Sequence, residues 1–154
     1  EVLARKFLGQ MPEFFEVKRY KVTTEKRKNR YNKMVNFSEA VIVLRIGEKK
    51  VLSVSESIDE KGDDRGPVNA LAKALAKDLG PYQSIIDDIK LVDYKVRIIS
   101  GGVGAITRVL IDSEDASGRR WTTVGVSPNI IDASFQALMD SFIWKLCEEE
   151  VSPI

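Results

Sequence analysis

Histidine is absent from the 154-residue sequence, and this narrows the classes of function that the chain can perform. General acid–base catalysis near neutral pH and most transition-metal sites depend on imidazole. Carboxylates or lysine can still support catalysis, so the absence favours a binding or regulatory module over an enzyme. We therefore expect no catalytic residue, no metal site and no cofactor within this chain.

Cysteine occurs only once, as Cys147, which excludes an intramolecular disulfide and fits a reducing cytoplasm. Long hydrophobic runs are also lacking, since the longest, Ala40 to Leu44, is far shorter than a membrane-spanning helix. The 24 basic and 23 acidic side chains nearly cancel, so no overall field attracts a nucleic acid or a membrane. We expect a cytoplasmic globular protein with neither of these partners.

Two periodicities are present and predict the fold. Alternation of apolar and polar residues predicts strands over residues 14–26, 34–46, 50–58, 89–100, 105–113 and 119–126, and amphipathic helices are predicted within 65–81 and over 128–149. Aligning Leu75 with Leu138 also aligns Ala74 with Ala137, so the second half repeats the first with a shift of 63 residues. Short turns make the strands antiparallel, and one helix layer per sheet gives an α+β fold.

The predicted organisation is therefore two tandem β-β-β-α repeats with pseudo-two-fold symmetry, in which helices cover antiparallel sheets. We predict a linker over residues 1–12, the first repeat over 13–80 and the second over 81–154, with residues 81–87 as a loop. Because the sequence begins with Glu1 rather than Met, we expect the chain to be part of a larger protein.

The start of the first helix is the strongest candidate for a ligand site. A helix N-terminus offers N–H groups and a partial positive charge to an α-carboxylate, and Gly66 lets a ligand approach the backbone. An ammonium could be held by acids of the preceding loop or by nearby carbonyls. Val68, Leu71 and Leu75 could receive a small aliphatic side chain. Equally, Gly66 and Pro67 could simply begin a helix whose leucines pack on the sheet, and the residues leave both interpretations open.

Other motifs favour structural interpretations. The glycine-rich residues 101–104 precede a strand and lack the lysine of a phosphate loop, so a hairpin turn is predicted. The basic segment 25–33 could hold RNA phosphates, although solvated cations on a turn are the favoured interpretation. The acids within residues 59–64 lack the spacing of a calcium loop. Trp121 and Trp144 are expected to be packing residues or part of a subunit contact.

Several blocks in a fixed order resemble one family, the C-terminal regulatory domain of the isopropylmalate and citramalate synthases. They are Gly66-Pro67-Val68-Asn69-Ala70-Leu71, residues 91–98, residues 107–111, Trp121-Thr122-Thr123-Val124-Gly125-Val126-Ser127 and residues 129–141. The resemblance extends over nearly all of residues 14–146. Residues 93–97 and 121–127 look more like the citramalate synthase branch.

The resemblance implies a dimeric sensor of an end-product amino acid, isoleucine in the citramalate synthase branch or leucine in the isopropylmalate synthase branch. It implies that this part of the protein is not an enzyme. The parent would condense acetyl-CoA with a 2-oxo acid in an upstream barrel of the same chain, which would also hold a divalent metal. A homodimer, a small-molecule effector and the upstream barrel are therefore the implied partners.

The resemblance also implies where the effector binds. The residues are Gly66, Pro67, Val68, Leu71, Leu75, Ile85, Ile86, Leu110 and Asp112, the last two following from the internal repeat. The family commonly has Gly-Asn-Gly-Pro at this helix start, whereas this chain runs from Gly62 through two aspartates and an arginine to Gly66-Pro67. The longer, more charged loop favours an alternative, a purely structural dimerisation domain without an effector.

Overall fold

A computed structural model describes residues 12–59, 66–100 and 104–153, so the predicted linker lies almost entirely outside the described residues, as does most of the turn at 101–104. The elements are β1 Glu16–Lys28, β2 Met34–Ile46, β3 Lys49–Asp59, α1 Gly66–Lys77, a 3-10 helix Gly80–Tyr82, α2 Gln83–Ile86, β4 Lys90–Ser100, β5 Ala105–Glu114, β6 Arg120–Ser127 and α3 Ile130–Glu148. The order of three strands and a long helix, twice, confirms the predicted fold class.

The chain divides into two compact units, Phe15–Gln83 and Ser84–Ile154, the second of which also includes Phe14. Each unit contains one antiparallel three-stranded sheet, with the strand order β1-β2-β3 in the first and β4-β5-β6 in the second. The long helix of each unit packs on the two later strands of its own sheet. Each unit is therefore a two-layer α/β sandwich with a core of its own.

In the first unit, α1 buries Val68, Leu71 and Leu75 against β2 and β3, as the apolar stripe predicts. Ala70 and Ala74 are also completely buried, whereas Ala72, which the apolar spacing of the helix places on the same predicted stripe, is only half-buried. Alanine carries only a Cβ, which lets the helix backbone come close to the sheet. The consequence is a direct hydrogen bond from Ser53 to the Ala74 carbonyl oxygen at 2.5 Å.

The second unit repeats this contact and thereby supports the internal repeat. The Thr123 hydroxyl donates to the Ala137 carbonyl oxygen at 2.7 Å, and Ala137 is the residue that aligns with Ala74. Bonded residues are 21 apart in the first unit and 14 apart in the second. The connection from the last strand to the helix, six residues in the first repeat and two in the second, accounts for four residues of this difference.

The predicted loop at 81–87 is wrong, because the structure has a 3-10 helix and then α2 over most of this range. Gln83 explains the arrangement at the end of α1. Its side chain accepts a hydrogen bond from the Leu79 N–H at 2.9 Å and donates one to the Ala76 carbonyl. It thus satisfies backbone groups that a helix C-terminus leaves without partners, and Tyr82 is buried beside it.

The C-terminal half of α3 is held by a cluster of charges that we call the Asp115 cluster: Asp115, Arg119, Lys145 and Glu149. Lys145, 4% exposed, donates to the Asp115 carboxylate at 2.6 Å, and Arg119 reaches Asp115 at 3.1 Å and Glu149 at 2.5 Å. The Trp121 and Trp144 rings stack beside it with centroids 4.6 Å apart, which confirms the packing role. This cluster fastens the β5–β6 turn to the helix.

Candidate functional site: the start of α1

Polar side chains form the sheet surface beneath the start of α1. Antiparallel register places Thr24, Ser38 and Ser57 side by side across the sheet, and the next row towards the strand ends contains Asn36 beside Asp59. We call Thr24, Asn36, Ser38, Ser57 and Asp59 the polar floor. Since residues two apart on a strand share a face, all five point to the side that α1 covers.

Three members of the polar floor are removed from water, whereas Asn36 is half-buried and Thr24 is exposed. Ser38 is completely buried, Ser57 is buried, and Asp59 is only 9% exposed. The Ser38 and Thr24 hydroxyl oxygens lie 3.4 Å apart. Hydroxyl groups and one carboxylate thus form the sheet surface beneath the start of α1.

Gly66 seats the start of α1 directly on this floor. A Cβ added there would lie 3.0 Å from the Ser38 Oγ and 3.9 Å from the Asp59 Cβ. The glycine therefore keeps the first backbone amides of the helix close to a hydroxyl and a carboxylate.

The other predicted residues of the first unit lie on the same helix. Val68, Leu71 and Leu75 are buried against the sheet, and Pro67 is half-buried. The structure brings these residues together in one stripe that begins at the polar floor. Their role as effector-binding residues stays a prediction, because core packing accounts for the burial of Leu71 and Leu75.

The remaining four predicted residues belong to the second unit. Ile86 is buried and Ile85 half-buried, both in α2. Leu110 and Asp112 lie on β5, on the face of the second sheet opposite to α3, and Asp112 accepts a hydrogen bond from the Thr122 hydroxyl at 2.5 Å. For these residues too, effector binding stays a prediction.

The equivalent start of α3 is closed by its own side chain. Asn129 is the N-cap, and its Oδ1 accepts hydrogen bonds from the N–H groups of Ile131 at 2.8 Å and Asp132 at 3.2 Å. The residue that aligns with Asn129 in the first repeat is Gly66, which has no side chain that could cap a helix. The two repeats therefore differ in the side chain at this aligned position.

Sequence reasoning missed Ser38, Ser57 and Asp59 as members of this site. The signal was present, because Ser38 and Ser57 occupy inward-facing positions of strands whose other inward-facing residues include Ile42, Leu44 and Val51. Polar residues at positions that should be apolar indicate a buried polar site. Knowing which positions face inward, however, requires the strand register.

Two kinds of feature are not found in the part of the chain that the structure describes. Within residues 12–59, 66–100 and 104–153, no cluster of three or more acidic or cysteine side chains is placed to bind a metal ion. In the same residues, none of the helices has both the length and the apolar character that crossing a membrane requires.

Comparison with known proteins identifies the domain. Residues 1–143 match the family described as the LeuA allosteric (dimerisation) domain. The chain is 41% identical to an (R)-citramalate synthase of Geobacter sulfurreducens and 39% identical to one of Aquifex aeolicus, over 97% of this chain and 27% of each relative. A 2-isopropylmalate synthase of Methanocaldococcus jannaschii is 35% identical over 55% of the chain and 15% of its own length.

The chain thus spans about a quarter of the length of the citramalate synthases that it matches. The order β-β-β-α, twice, agrees with the family match, which extends over both sheets. The chain belongs to the LeuA allosteric (dimerisation) domain family.

Proposed function

We propose that this domain is the regulatory part of a citramalate synthase-like enzyme of branched-chain amino acid biosynthesis. It binds isoleucine at the start of α1, and it dimerises. The proposal takes its ligand class from the similarity to the citramalate synthases and its position from the polar floor. The parent is then a cytoplasmic acyltransferase that uses acetyl-CoA and a divalent metal in its upstream barrel, and the domain itself performs no chemistry.

The observation that carries the proposal is the contrast between the two helix starts. At α3 an asparagine side chain occupies the first amides, whereas at α1 the matching residue is Gly66, and a buried carboxylate lies beneath it. A zwitterionic amino acid suits this arrangement, because its carboxylate can accept from helix amides while its ammonium meets Asp59. The adjacent aliphatic stripe then receives the side chain.

Inhibition further requires that the ligand bind one arrangement of the protein better than another, since equal affinity for both would shift nothing. Isoleucine and leucine differ only in the position of one methyl group. A pocket that fits one of them discriminates against the other by about 1–3 kcal/mol.

Titration calorimetry of isoleucine, leucine and valine into the domain tests the ligand. We expect isoleucine to bind with about fourfold higher affinity than valine, because it buries one more methylene group, worth about 0.8 kcal/mol. Stronger binding of leucine than of isoleucine would contradict isoleucine as the effector and would indicate leucine, the amino acid sensed in the isopropylmalate synthase branch. No heat with any of the three would contradict effector binding.

Asp59→Asn tests the polar floor separately. We expect isoleucine to bind the variant at least about tenfold more weakly, because a charged hydrogen bond contributes about 1.5–3 kcal/mol. The deaminated analogue 3-methylpentanoate lacks the ammonium and should bind the unchanged protein more weakly than isoleucine does. Asp59→Asn should leave its affinity unchanged or raise it. Glu56→Gln is the matched control, because Glu56 is an exposed acid on the same strand that faces away from α1. Equal loss in both variants would exclude a specific role for Asp59.

A second function, structural dimerisation without an effector, is favoured by one observation. Leu71 and Leu75 are completely buried in the core of the first unit, as they would be if they only packed on the sheet. This function predicts that no amino acid raises the melting temperature, whereas dilution lowers it. Thermal unfolding at several protein concentrations, with and without isoleucine, separates the two functions.

A further inference from the structure

The face of the second sheet that points away from α3, which we call the outer face, carries its charges in rows. The strand register gives three successive rows: Asp93, Asp112 and Thr122; then Lys95, Leu110 and Val124; then Arg97, Arg108 and Val126. An acidic row and a basic row therefore lie on opposite sides of the row that contains Leu110. Rows two residues apart are separated by about 7 Å along the strands.

Both outer rows bring like charges directly opposite each other. Asp93 is paired with Asp112, and Arg97 with Arg108, an arrangement that destabilises a sheet unless opposite charges compensate it. The acidic row has compensation, since Lys95 lies 3.5 Å from Asp93 and the Thr122 hydroxyl donates to Asp112.

The basic row is not compensated in the same way. Neither Arg97 nor Arg108 forms an ion pair with another residue in the part of the chain that the structure describes. In that part the buried Arg108 Nε also has no hydrogen-bond partner. The two guanidinium groups therefore remain available to carboxylates supplied from outside.

The same face exposes apolar side chains. Val126 is 49% exposed, Ile99 47% and Ile106 43%. Leu110 and Val124 are half-buried at the centre of the face. An apolar centre flanked by charges is the composition of a surface that packs on another protein.

We propose that the outer face of the second sheet binds the same face of a second copy of this chain. The two-fold axis lies between the two packed sheets. It runs perpendicular to the strands and passes over Leu110 in each copy. The inference rests on the dimerisation proposed above and assigns the surface that performs it. Leu110 and Asp112 then contribute to the dimer interface.

The two-fold operation explains why the rows have this order. It reverses the direction along the strands, so the row above the axis in one copy faces the row below the axis in the other. Arg108 then faces Asp112 of the second copy, Arg97 faces Asp93 of the second copy, and Leu110 meets its own equivalent. Lys95, in the same row as Leu110, also meets its own equivalent, and in each copy Asp93 at 3.5 Å compensates its charge. Packed sheets lie about 10 Å apart, a gap that arginine side chains span to form charge-assisted pairs.

Other occupants fit less well. A nucleic acid or an anionic membrane would be repelled by the acidic row, and a uniformly acidic or basic protein would meet one row of its own sign. The partner must instead carry a basic row opposite the acidic row of this face and an acidic row opposite its basic row. The face itself becomes that surface after a two-fold rotation, as an isologous contact demands.

A charge exchange within one chain tests this geometry. Arg108→Asp and Asp112→Arg should each raise the dimer dissociation constant about a hundredfold, because each places like charges together twice in the dimer. The double variant Arg108→Asp/Asp112→Arg should return the constant to within about tenfold of the unchanged protein. Within one copy the two residues are about 13 Å apart along β5, so an intrachain ion pair would not explain the recovery. Sedimentation velocity across a dilution series measures the constant.

Lys73→Glu is the matched control, since it makes the same change of charge on the exposed side of α1 and should leave the constant unchanged. Single variants as dimeric as the unchanged protein would overturn the assigned face while leaving dimerisation itself intact. Single variants that dissociate without recovery in the exchange would overturn the pairing of rows. An unchanged protein that is monomeric at every concentration would overturn dimerisation, and isoleucine titrated into the same samples reports separately on effector binding.

A covalent probe covers the case in which the exchanged protein does not fold. Leu110→Cys in a Cys147→Ser background places one thiol beside its equivalent across the axis. Because packed sheets lie about 10 Å apart, too far for a disulfide, a bis-maleimide cross-linker of about that length is used; it should convert most of the protein to a linked dimer, whereas Lys73→Cys in the same background should remain unlinked. Equal linking in both variants would contradict the position of the axis.

Discussion

Gly125→Ala is expected to prevent the second unit from folding, or to cost at least about 4 kcal/mol of its stability. A Cβ at this position of β6 would overlap the Ala133 carbonyl oxygen. It would also lie 2.7 Å from the Ala133 carbonyl carbon and 3.1 Å from the Ala137 backbone nitrogen. These are backbone atoms of α3, which cannot rotate away as a side chain can. The whole helix would have to lift from the sheet, and the Thr123–Ala137 hydrogen bond would break with it.

Thermal and urea unfolding followed by circular dichroism measure this loss. Gly118→Ala is the matched control, because Gly118 lies in the β5–β6 turn with no atom within 4 Å of an added Cβ. Its φ of +83° still strains an alanine, so a cost of about 1 kcal/mol is expected there. Equal losses in the two variants would show that backbone strain, and not the close approach of helix and sheet, requires glycine at 125.

Lys145→Met is expected to cost about 3 kcal/mol, the typical effect of removing one partner from a buried ion pair. The methionine retains the packing of the lysine stem but leaves the completely buried Asp115 side chain without its closest cation. Arg119 still contacts Asp115, which keeps the cost from being larger. For a chain of this size, the melting temperature should fall by about 6–12 °C.

Adding Asp115→Asn to Lys145→Met should recover part of that loss. The asparagine oxygen can still accept from the Ser117 and Arg119 N–H groups, which Asp115 Oδ1 holds at 3.1 Å and 3.0 Å, while the buried charge disappears. A double variant less stable than Lys145→Met would contradict an electrostatic origin and would indicate lost packing instead.

The same pair predicts the acid response. Hydrogen bonds from Lys145 first, and then from Ser117 and Arg119, hold the pKa of Asp115 well below its ordinary value. A group whose folded pKa is depressed stabilises the protein fully above its unfolded pKa, about 4, and loses this contribution as the pH falls towards the folded pKa. The unchanged protein should therefore lose more stability between about pH 4 and pH 2 than Asp115→Asn does.

The strand and helix periods were sufficient for the architecture, and the structure confirms it. The alternation predicts that Val92, Tyr94, Val96 and Ile98 share a face. The register places the last three on one face, whereas Val92 lies in the β4 bulge between Leu91 and Asp93. The repeat was equally visible, since alanines at 74 and 137 align and both accept the same kind of hydrogen bond from a strand. Such features are local, so a window of a few residues contains them.

The polar residues in the core were not predictable in this way. Lys145 and Ser141 lie on the buried side of α3, where a helical pattern predicts apolar residues. Lys145 is tolerated because Asp115, thirty positions earlier, supplies its counter-ion, and Ser141 accepts from the Trp121 indole and contacts the Ser113 hydroxyl. Each partner comes from another element, so no local pattern contains it.

The sequence by itself determined that this protein is a duplicated β-β-β-α domain, and its motifs predicted a regulatory module of the citramalate and isopropylmalate synthases. Tertiary structure alone decided that Ser38, Ser57 and Asp59 underlie the start of α1, and that Leu110 and Asp112 face away from α3. The physical reason is that periodicity fixes which residues share a face within one element. Which faces meet depends instead on register, bulges and packing between residues distant in the chain.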